Sequence, residues 1–167
     1  MKEVSITKII AVDPGTNITG YGILEKSEGE VKVRAAGIVK NPSRALPAEK
    51  LNRIHQRLSQ LISQYLPRAL ILEDVFYGKN VSSLLKLGEV RGVCLLAAAE
   101  KGIPVFSYAS RRVKKSVVGS GSAAKLQVQK MVQALLGLEE LPSPPDVADA
   151  LALGITFFQD KLLKRED

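Results

Sequence analysis

The chain opens with three stretches in which apolar residues dominate and short polar turns intervene. The stretches are Thr7–Val12, Ile18–Glu25 and Val31–Val39, and their length and composition are typical of strands. Pro14 and Gly15 fit the centre of a type II turn, in which the glycine has a positive φ. Three strands joined by short turns predict an antiparallel meander.

The hydrophobic period then changes from that of a strand to that of a helix. A helical pattern ends at Pro67, and the short apolar stretch Ala69–Val75 predicts a fourth strand. Val81–Lys101 predicts a long helix that Gly102 terminates, and Pro104–Tyr108 predicts a fifth strand. The apolar positions that define the first helix are Leu51, Ile54, Leu58, Leu61, Ile62 and Tyr65.

The last third of the chain is helical and carries no repeat or linker. A basic helical segment is followed by the loop "GSGS", a helix from about Ala123 to Leu136, the turn "LPSPPD" and a final helix to about Leu163. Three antiparallel strands followed by two strands that are each reached through a helix predict an α/β fold. Its mixed five-stranded sheet is flanked by helices. The length of 167 residues predicts a single domain over 1–167.

Composition excludes several classes of protein. Apolar residues make up 46% and charged residues 25% of the chain, which is typical of a folded globular domain. No apolar run approaches the roughly 20 residues that cross a bilayer, and "MKEVSITK" has no apolar signal region. The single cysteine, Cys94, excludes an internal disulfide framework, and the single histidine, His55, excludes a histidine-rich zinc site. We therefore expect a cytoplasmic protein.

Positive charge is concentrated in one part of the sequence. The net charge is +7, and positions 101–138 contain neither Asp nor Glu. An unbalanced basic block in a folded domain indicates a polyanionic partner, above all nucleic acid, although a solvated basic face is the alternative. The positive residues of this block are Lys101, Arg111, Arg112, Lys114, Lys115, Lys125 and Lys130.

Four acids stand where predicted elements begin or end. Asp13 ends the first strand, Glu73 ends the fourth, and Asp146 and Asp149 open the last helix. Residues three apart share a helix face. The face that carries these two aspartates continues through apolar residues and should lie on the sheet, so both acids should point inward. The apolar residues on this face are Ala150, Leu153 and Phe157.

Each acid alone also fits a structural role. Asp13 could be a turn residue, Asp146 could be the N-cap of the last helix, and Asp149 could favour the helix dipole. Glu73 is chosen over Asp74 because neighbouring strand residues face opposite sides. Like charges a few ångströms apart repel by ~4 kcal/mol per pair at an effective dielectric of about 20, so a cluster of four needs cations. Oxygen ligands without His or Cys favour Mg²⁺ or Mn²⁺, and two such ions suit phosphodiester hydrolysis.

Four segments resemble, in order and spacing, the RuvC family of Holliday-junction resolvases. They are "VDPGTNITGYGIL", "LILEDVFYGKNVSSLLKLGEVRGV", "RRVKKSVVGSGSAAKLQVQ" and "DVADALALGIT". The resemblance implies an RNase H-like fold and a homodimer that cuts four-way DNA junctions in recombination and repair. It implies paired symmetric nicks that leave 5′-phosphate and 3′-hydroxyl ends. It also implies a branch-migration complex, RuvA–RuvB, as a partner.

The same resemblance assigns roles to individual residues. Asp13, Glu73, Asp146 and Asp149 match the catalytic acids, which would bind two Mg²⁺ ions per site, with Mn²⁺ as a substitute. Asp74 departs from the family, because many relatives carry Gln at this position.

An aromatic segment follows the fourth strand. The resemblance to the RuvC family implies that Phe76 stacks on an unpaired base near the crossover. Phe76 could instead cap the hydrophobic core. Tyr77 could assist it, and Lys79 and Asn80 suit phosphate contacts.

The basic block contains further candidate DNA contacts. "GSGSAAK" predicts a glycine-rich turn that leads into a helix N-terminus, where Ser122 fits the N-cap and a phosphate would be favoured. Lys125 adds a full charge, and Lys114 matches a basic position of the family. The remaining basic candidates are Arg111, Arg112 and Lys115, any of which could be solvated surface.

The helix Val81–Lys101 is apolar on more than one face, which indicates deeper burial or a subunit interface. The family resemblance favours dimerisation through this helix, and a two-fold axis would explain paired cuts. Three other functions remain open: an actin-like nucleotide-binding ATPase, a junction-binding protein without catalysis, and a different RNase H-like nuclease. The actin-like alternative would use the loop from Asp13 to Thr16, but its architecture needs two such domains.

Overall fold

The computed structural model describes residues 7–75 and 80–163, with side chains described as far as residue 160. The elements follow the order that the hydrophobic pattern predicts. They are β1 (Lys8–Asp13), β2 (Ile18–Ser27), β3 (Glu30–Lys40), α1 (Pro47–Tyr65), β4 (Leu70–Glu73), α2 (Val81–Glu100), β5 (Val105–Tyr108), α3 (Ser110–Val118), α4 (Lys125–Leu136) and α5 (Pro145–Leu163).

The five strands form one mixed sheet in the order β3-β2-β1-β4-β5. The first three strands are antiparallel, whereas β4 runs parallel to both β1 and β5, so the predicted architecture is confirmed. Val12 of β1 is in register with Leu72 of β4. The next residue along each strand is one of the candidate acids, Asp13 or Glu73, and the two therefore leave the same edge of the sheet side by side.

Helices cover both faces of the sheet, which explains why β1 is apolar along nearly its whole length. On one face α1 and α2 bury residues such as Ile54 and Cys94 against Ile10 and Val12. On the other face α3, α4 and α5 form a second core around Phe157. Within the described ranges, no helix combines the length and apolarity needed to cross a membrane.

Strand period decides which face the acids occupy. Ile9 and Ala11 belong to the core beneath α5, and side chains two apart on a strand share a face, so Asp13 points toward α5. The same parity carries Glu73 to this face, because Ile71 lies in the same core. Both strand carboxylates therefore face the helix that contributes the other two acids.

The turn after β1 differs from the predicted type II turn. Gly15 does not have a positive φ. A side chain at this position is excluded for a different reason, since a Cβ would lie 2.1 Å from the carbonyl oxygen of Ile18. The glycine therefore allows a close approach of backbone to backbone, and the predicted φ was wrong.

Two element boundaries also differ from the prediction. The fourth strand ends at Glu73, although the apolar pattern extended it to Val75. Helix α4 begins at Lys125 with Ala124 as its N-cap, so the prediction that Ser122 is the N-cap was wrong. The chain first makes a tight turn in which the Ala123 N–H donates to the carbonyl of Ser120 at 3.3 Å, and the Ser122 hydroxyl contacts the Ser120 hydroxyl at 3.1 Å.

Candidate active site

Two carboxyl groups meet where β1 and β4 end. The carboxyl group of Glu73 lies beside that of Asp13 and favours the protonated form of Asp13. Burial raises the pKa of Asp13 well above its usual range, and the negative charge of Glu73 raises it further. The pair is thus a buried negative centre that needs a proton or a cation to be stable.

The first turns of α5 bring the other two acids to the same edge. The helix starts at Pro145, so Asp146 is its second residue and lies inside the helix instead of at the N-cap. The apolar stripe below these acids is buried as predicted, with Leu153 at 1% and Phe157 at 0% exposure. Charge interactions reach from Asp13 to both Asp146 and Asp149. The structure therefore brings together all four acids proposed from the sequence.

The site's cationic neighbours are shown by the electrostatics of Asp149. Burial raises the pKa of this carboxyl to about 6, and the charges of Glu73 and Asp146 also raise it. The ammonium groups of Lys125 and Lys114 act in the opposite direction and lower it. Two lysines from the basic block thus border the carboxylates, where they can attract the phosphates of a substrate.

A glycine of β2 allows α5 to come this close, and sequence reasoning did not single it out. Gly20 pairs with Asp13 across β1 and β2. A Cβ on Gly20 would lie 2.1 Å from the backbone oxygen of Asp146 and 3.2 Å from its Cβ. Any larger residue would therefore push the start of α5, and with it Asp146 and Asp149, away from Asp13.

Arg91 is a second residue that sequence reasoning missed. Its guanidinium donates to the backbone oxygen of Glu73 at 3.1 Å and to the Ser107 hydroxyl at 2.9 Å. It also lies 3.4 Å from the carboxylate of Asp74. Asp74 therefore points toward α2, where Arg91 offsets its charge. The surrounding sequence shows only a helix with an arginine, so nothing local marks this contact.

The other predicted DNA contacts are distributed differently. Arg112 is engaged by the protein, with its guanidinium 2.6 Å from the Asp160 carboxylate and 5.3 Å from the Tyr108 ring centre. Asn80 caps α2, because its side-chain oxygen accepts from the Ser83 N–H at 3.2 Å. The remaining described candidates are exposed at the surface of α3 and the loop after it: Arg111, Lys115 and Ser122. Phe76, Tyr77 and Lys79 lie outside the described residues.

The donor set at this edge fits a hard divalent cation. All four candidate ligands are carboxylates, which are the groups that Mg²⁺ and Mn²⁺ prefer. In the described part of the chain, no three acidic, histidine or cysteine side chains are already arranged to hold a metal ion. The fit therefore rests on the chemistry of the donors and on the burial of Asp13 beside three other carboxyl groups.

Comparison with known proteins identifies the family. The model of the family described as "Crossover junction endodeoxyribonuclease RuvC" matches residues 9–157, a range that contains all four acids. This chain belongs to the RuvC family. The RuvC protein of Moorella thermoacetica is 44% identical over 147 residues, which are 88% of each chain.

Solved RuvC structures share the fold. The Thermus thermophilus RuvC structure is 32% identical, has a TM-score of 0.81 and covers 93% of this chain and 96% of its own. T. thermophilus RuvC in complex with a Holliday junction substrate is 30% identical with a TM-score of 0.82 and the same coverage. The expected RNase H-like fold is thus confirmed.

Proposed function

We propose that this protein is a nuclease that resolves four-way DNA junctions in homologous recombination and DNA repair. The observation that carries the proposal is the meeting of four acids with Lys114 and Lys125 at one edge of the sheet. Four-way junctions are proposed as the substrate for two reasons: the chain belongs to the RuvC family, and a relative has been solved in complex with a Holliday junction. Both favour this function over the actin-like, purely binding and RNA-directed alternatives. We further propose one nuclease domain over 1–167 that acts in the cytoplasm, where cellular DNA is available.

Divalent cations, with Mg²⁺ proposed in the cell, would be held by Asp13, Glu73, Asp146 and Asp149. Two bound ions supply activation of a water molecule and stabilisation of the leaving oxygen in phosphodiester hydrolysis. The proposed products are ends with a 5′-phosphate and a 3′-hydroxyl.

The protein's own contribution is to hold the acids rigidly and to draw phosphate toward them. Asp13 and Glu73 lie at the ends of hydrogen-bonded parallel strands, and Arg91 fixes the backbone of Glu73. Lys114 and Lys125 add positive charge beside an otherwise negative centre, which offsets its repulsion of the DNA backbone. This division between buried acids and flanking lysines suits cleavage of a polyanion.

Paired cuts need two such sites, and α2 offers a surface on which two copies can meet. One side of this helix is buried through Val90 and Cys94, whereas the opposite side is apolar and exposed. Gly88 and Gly92 lie on the exposed side, and a Cβ on either would meet nothing within 4 Å in the described chain. The exposed apolar residues are Val81, Leu85, Leu95 and Leu96.

Small residues one turn apart allow a second helix to approach closely, with larger apolar residues on either side. We therefore propose a homodimer in which the two α2 helices pack against each other. RuvA–RuvB is kept as a proposed partner on the strength of family membership alone.

Replacing each acid separates cleavage from binding. Asp13→Asn, Glu73→Gln, Asp146→Asn and Asp149→Asn should each slow junction cleavage by on the order of 10²-fold or more, because ligand loss removes several kcal/mol of charge stabilisation. Junction affinity, measured in a chelator, should be kept or increased. Asp74→Asn is the matched control, since this neighbouring acid faces Arg91, and it should cut at nearly the wild-type rate. An acid whose replacement leaves cleavage unchanged does not belong to the site.

A further inference from the structure

The turn that joins β1 to β2 is held in place from several directions. The Thr19 hydroxyl donates to the carbonyl of Gly15 at 2.7 Å. Asn41 is buried, and its side-chain amide donates to the carbonyl of Thr16 at 2.9 Å, while its N–H donates to the carbonyl of Asn17 at 2.8 Å. A turn that begins directly after Asp13 is thus fixed by its surroundings and has little freedom to adjust.

A buried lysine forms part of this support. Lys50 of α1 is only 9% exposed, and its ammonium donates to the side-chain oxygen of Asn17 at 2.8 Å and to the carbonyl of Ser43 at 3.2 Å. In the described chain, no carboxylate lies within ion-pair distance of Lys50. Burying a cation against neutral acceptors alone is costly, so a role beyond packing is indicated.

The contact with Lys50 fixes which way the Asn17 amide points. An ammonium group can only donate hydrogen bonds, so the oxygen of Asn17 must face Lys50 and its NH₂ group must point away. Asn17 is exposed, and none of the described residues accepts a hydrogen bond from its side-chain nitrogen. The protein therefore presents an oriented and unused pair of donors, four residues beyond Asp13.

We propose that Asn17 donates to a backbone phosphate of the bound DNA and that Lys50 is the positioning residue that aims it. This inference rests on the proposed nuclease function, because the acids at the same edge define where the substrate strand lies. Asparagine side chains commonly bind phosphate oxygens, and a neutral donor can sit beside the acid cluster without adding to its charge.

Asn17→Asp tests the proposal, because it changes only the outward-facing group. The carboxylate still accepts from Lys50 and pairs with its charge, so thermal stability should be kept or increased. The outward donor becomes a negative oxygen, and junction affinity in a chelator should fall on the order of 10-fold or more. Gln64→Glu is the control for the added charge, because it also changes an amide to a carboxylate. Gln64 is exposed and lies roughly 20 Å beyond Lys50 along α1, so this variant should bind junctions normally.

Three further variants keep the test decisive if one substitution harms folding. Asn17→Ala should weaken binding without changing its salt dependence, because a neutral donor releases no counterion. Lys50→Met should weaken binding in the fraction that folds, and Lys50→Arg should restore it. If wild-type protein binds junctions and both Asn17 variants bind them equally tightly, the proposed role of Asn17 is wrong and the proposed nuclease function is unaffected. A wild-type protein that neither binds nor cuts junctions would overturn the proposed function with it.

Discussion

Burying the negative charges of the candidate site should lower the free energy of unfolding of the metal-free protein. The contribution of Asp149 can be measured by removing its charge. In the folded protein its pKa is about 6, compared with the ordinary value of 3.8. A difference of this size corresponds to about 3 kcal/mol. Since the carboxyl is only partly buried, solvent screening lowers the expected effect to about 1–2 kcal/mol.

The direction of the pH dependence follows from which state loses its proton first. Between pH 4 and pH 6 the unfolded chain ionises Asp149 while the folded protein keeps it protonated, so stability falls as pH rises through this range. Above pH 6 both states are ionised and the full penalty is present. Asp149→Asn removes the penalty, so the variant should approach wild type as pH falls below the ordinary value of 3.8 and be more stable than wild type above pH 6.

The assay is thermal unfolding in a chelator at pH 4.5 and pH 7.5. At the higher pH the melting temperature of Asp149→Asn should exceed that of wild type by roughly 2–8 °C, given a domain of this size. At pH 4.5 the difference should fall to roughly half, because the folded protein then keeps Asp149 largely protonated. Glu140→Gln, at an exposed position, controls for the change in net charge. If the variant is less stable than wild type at pH 7.5, or gains the same stability at both pH values, then burial of the Asp149 charge does not destabilise the metal-free protein.

Three further predictions concern the packing of α5 on the sheet, the lysines beside the acids and the dimer interface on α2. Gly20→Ala should slow cleavage on the order of 10²-fold by displacing the start of α5. Gly22→Ala is the control, because its Cβ would meet side-chain atoms of Leu151 and Leu24 instead of the α5 backbone; it should cut faster than Gly20→Ala at similar stability, and equal rates would contradict the idea. Lys114→Ala and Lys125→Ala should each lower junction affinity and flatten its salt dependence by about one unit of slope; an unchanged slope would remove that lysine from the interface. Leu85→Glu should convert a dimer to a monomer in light scattering, and a wild-type monomer at micromolar concentration would contradict the α2 interface.

Local sequence patterns were sufficient for the sheet and for the four acids. The strand parity of Asp13 and Glu73 and the helical spacing of Asp146 and Asp149 each follow from the geometry of one element. The meeting of the first two acids needed the structure, because the sequence predicted a mixed sheet without showing that β1 and β4 are neighbours.

The residues that hold this arrangement leave no local pattern. Lys50 and Asn17 are 33 positions apart, Arg91 contacts Glu73 across 18 positions, and Gly20 is required by a backbone that follows more than a hundred residues later. The predicted turn at Gly15 was wrong for a related reason. Its glycine is explained by the close approach of the Ile18 carbonyl, whereas the local rule invokes a positive φ.

Metal-dependent junction cleavage is best measured on a synthetic four-way junction beside a linear duplex of the same sequence, with and without Mg²⁺. We expect Mg²⁺-dependent paired nicks in the junction, little cutting of the duplex, products that DNA ligase can reseal, and loss of cutting in Asp13→Asn and Glu73→Gln. Equal cutting of both substrates would contradict junction specificity. Unchanged cutting in a chelator, or by the two variants, would contradict the assignment of the acid cluster as the metal-dependent active site.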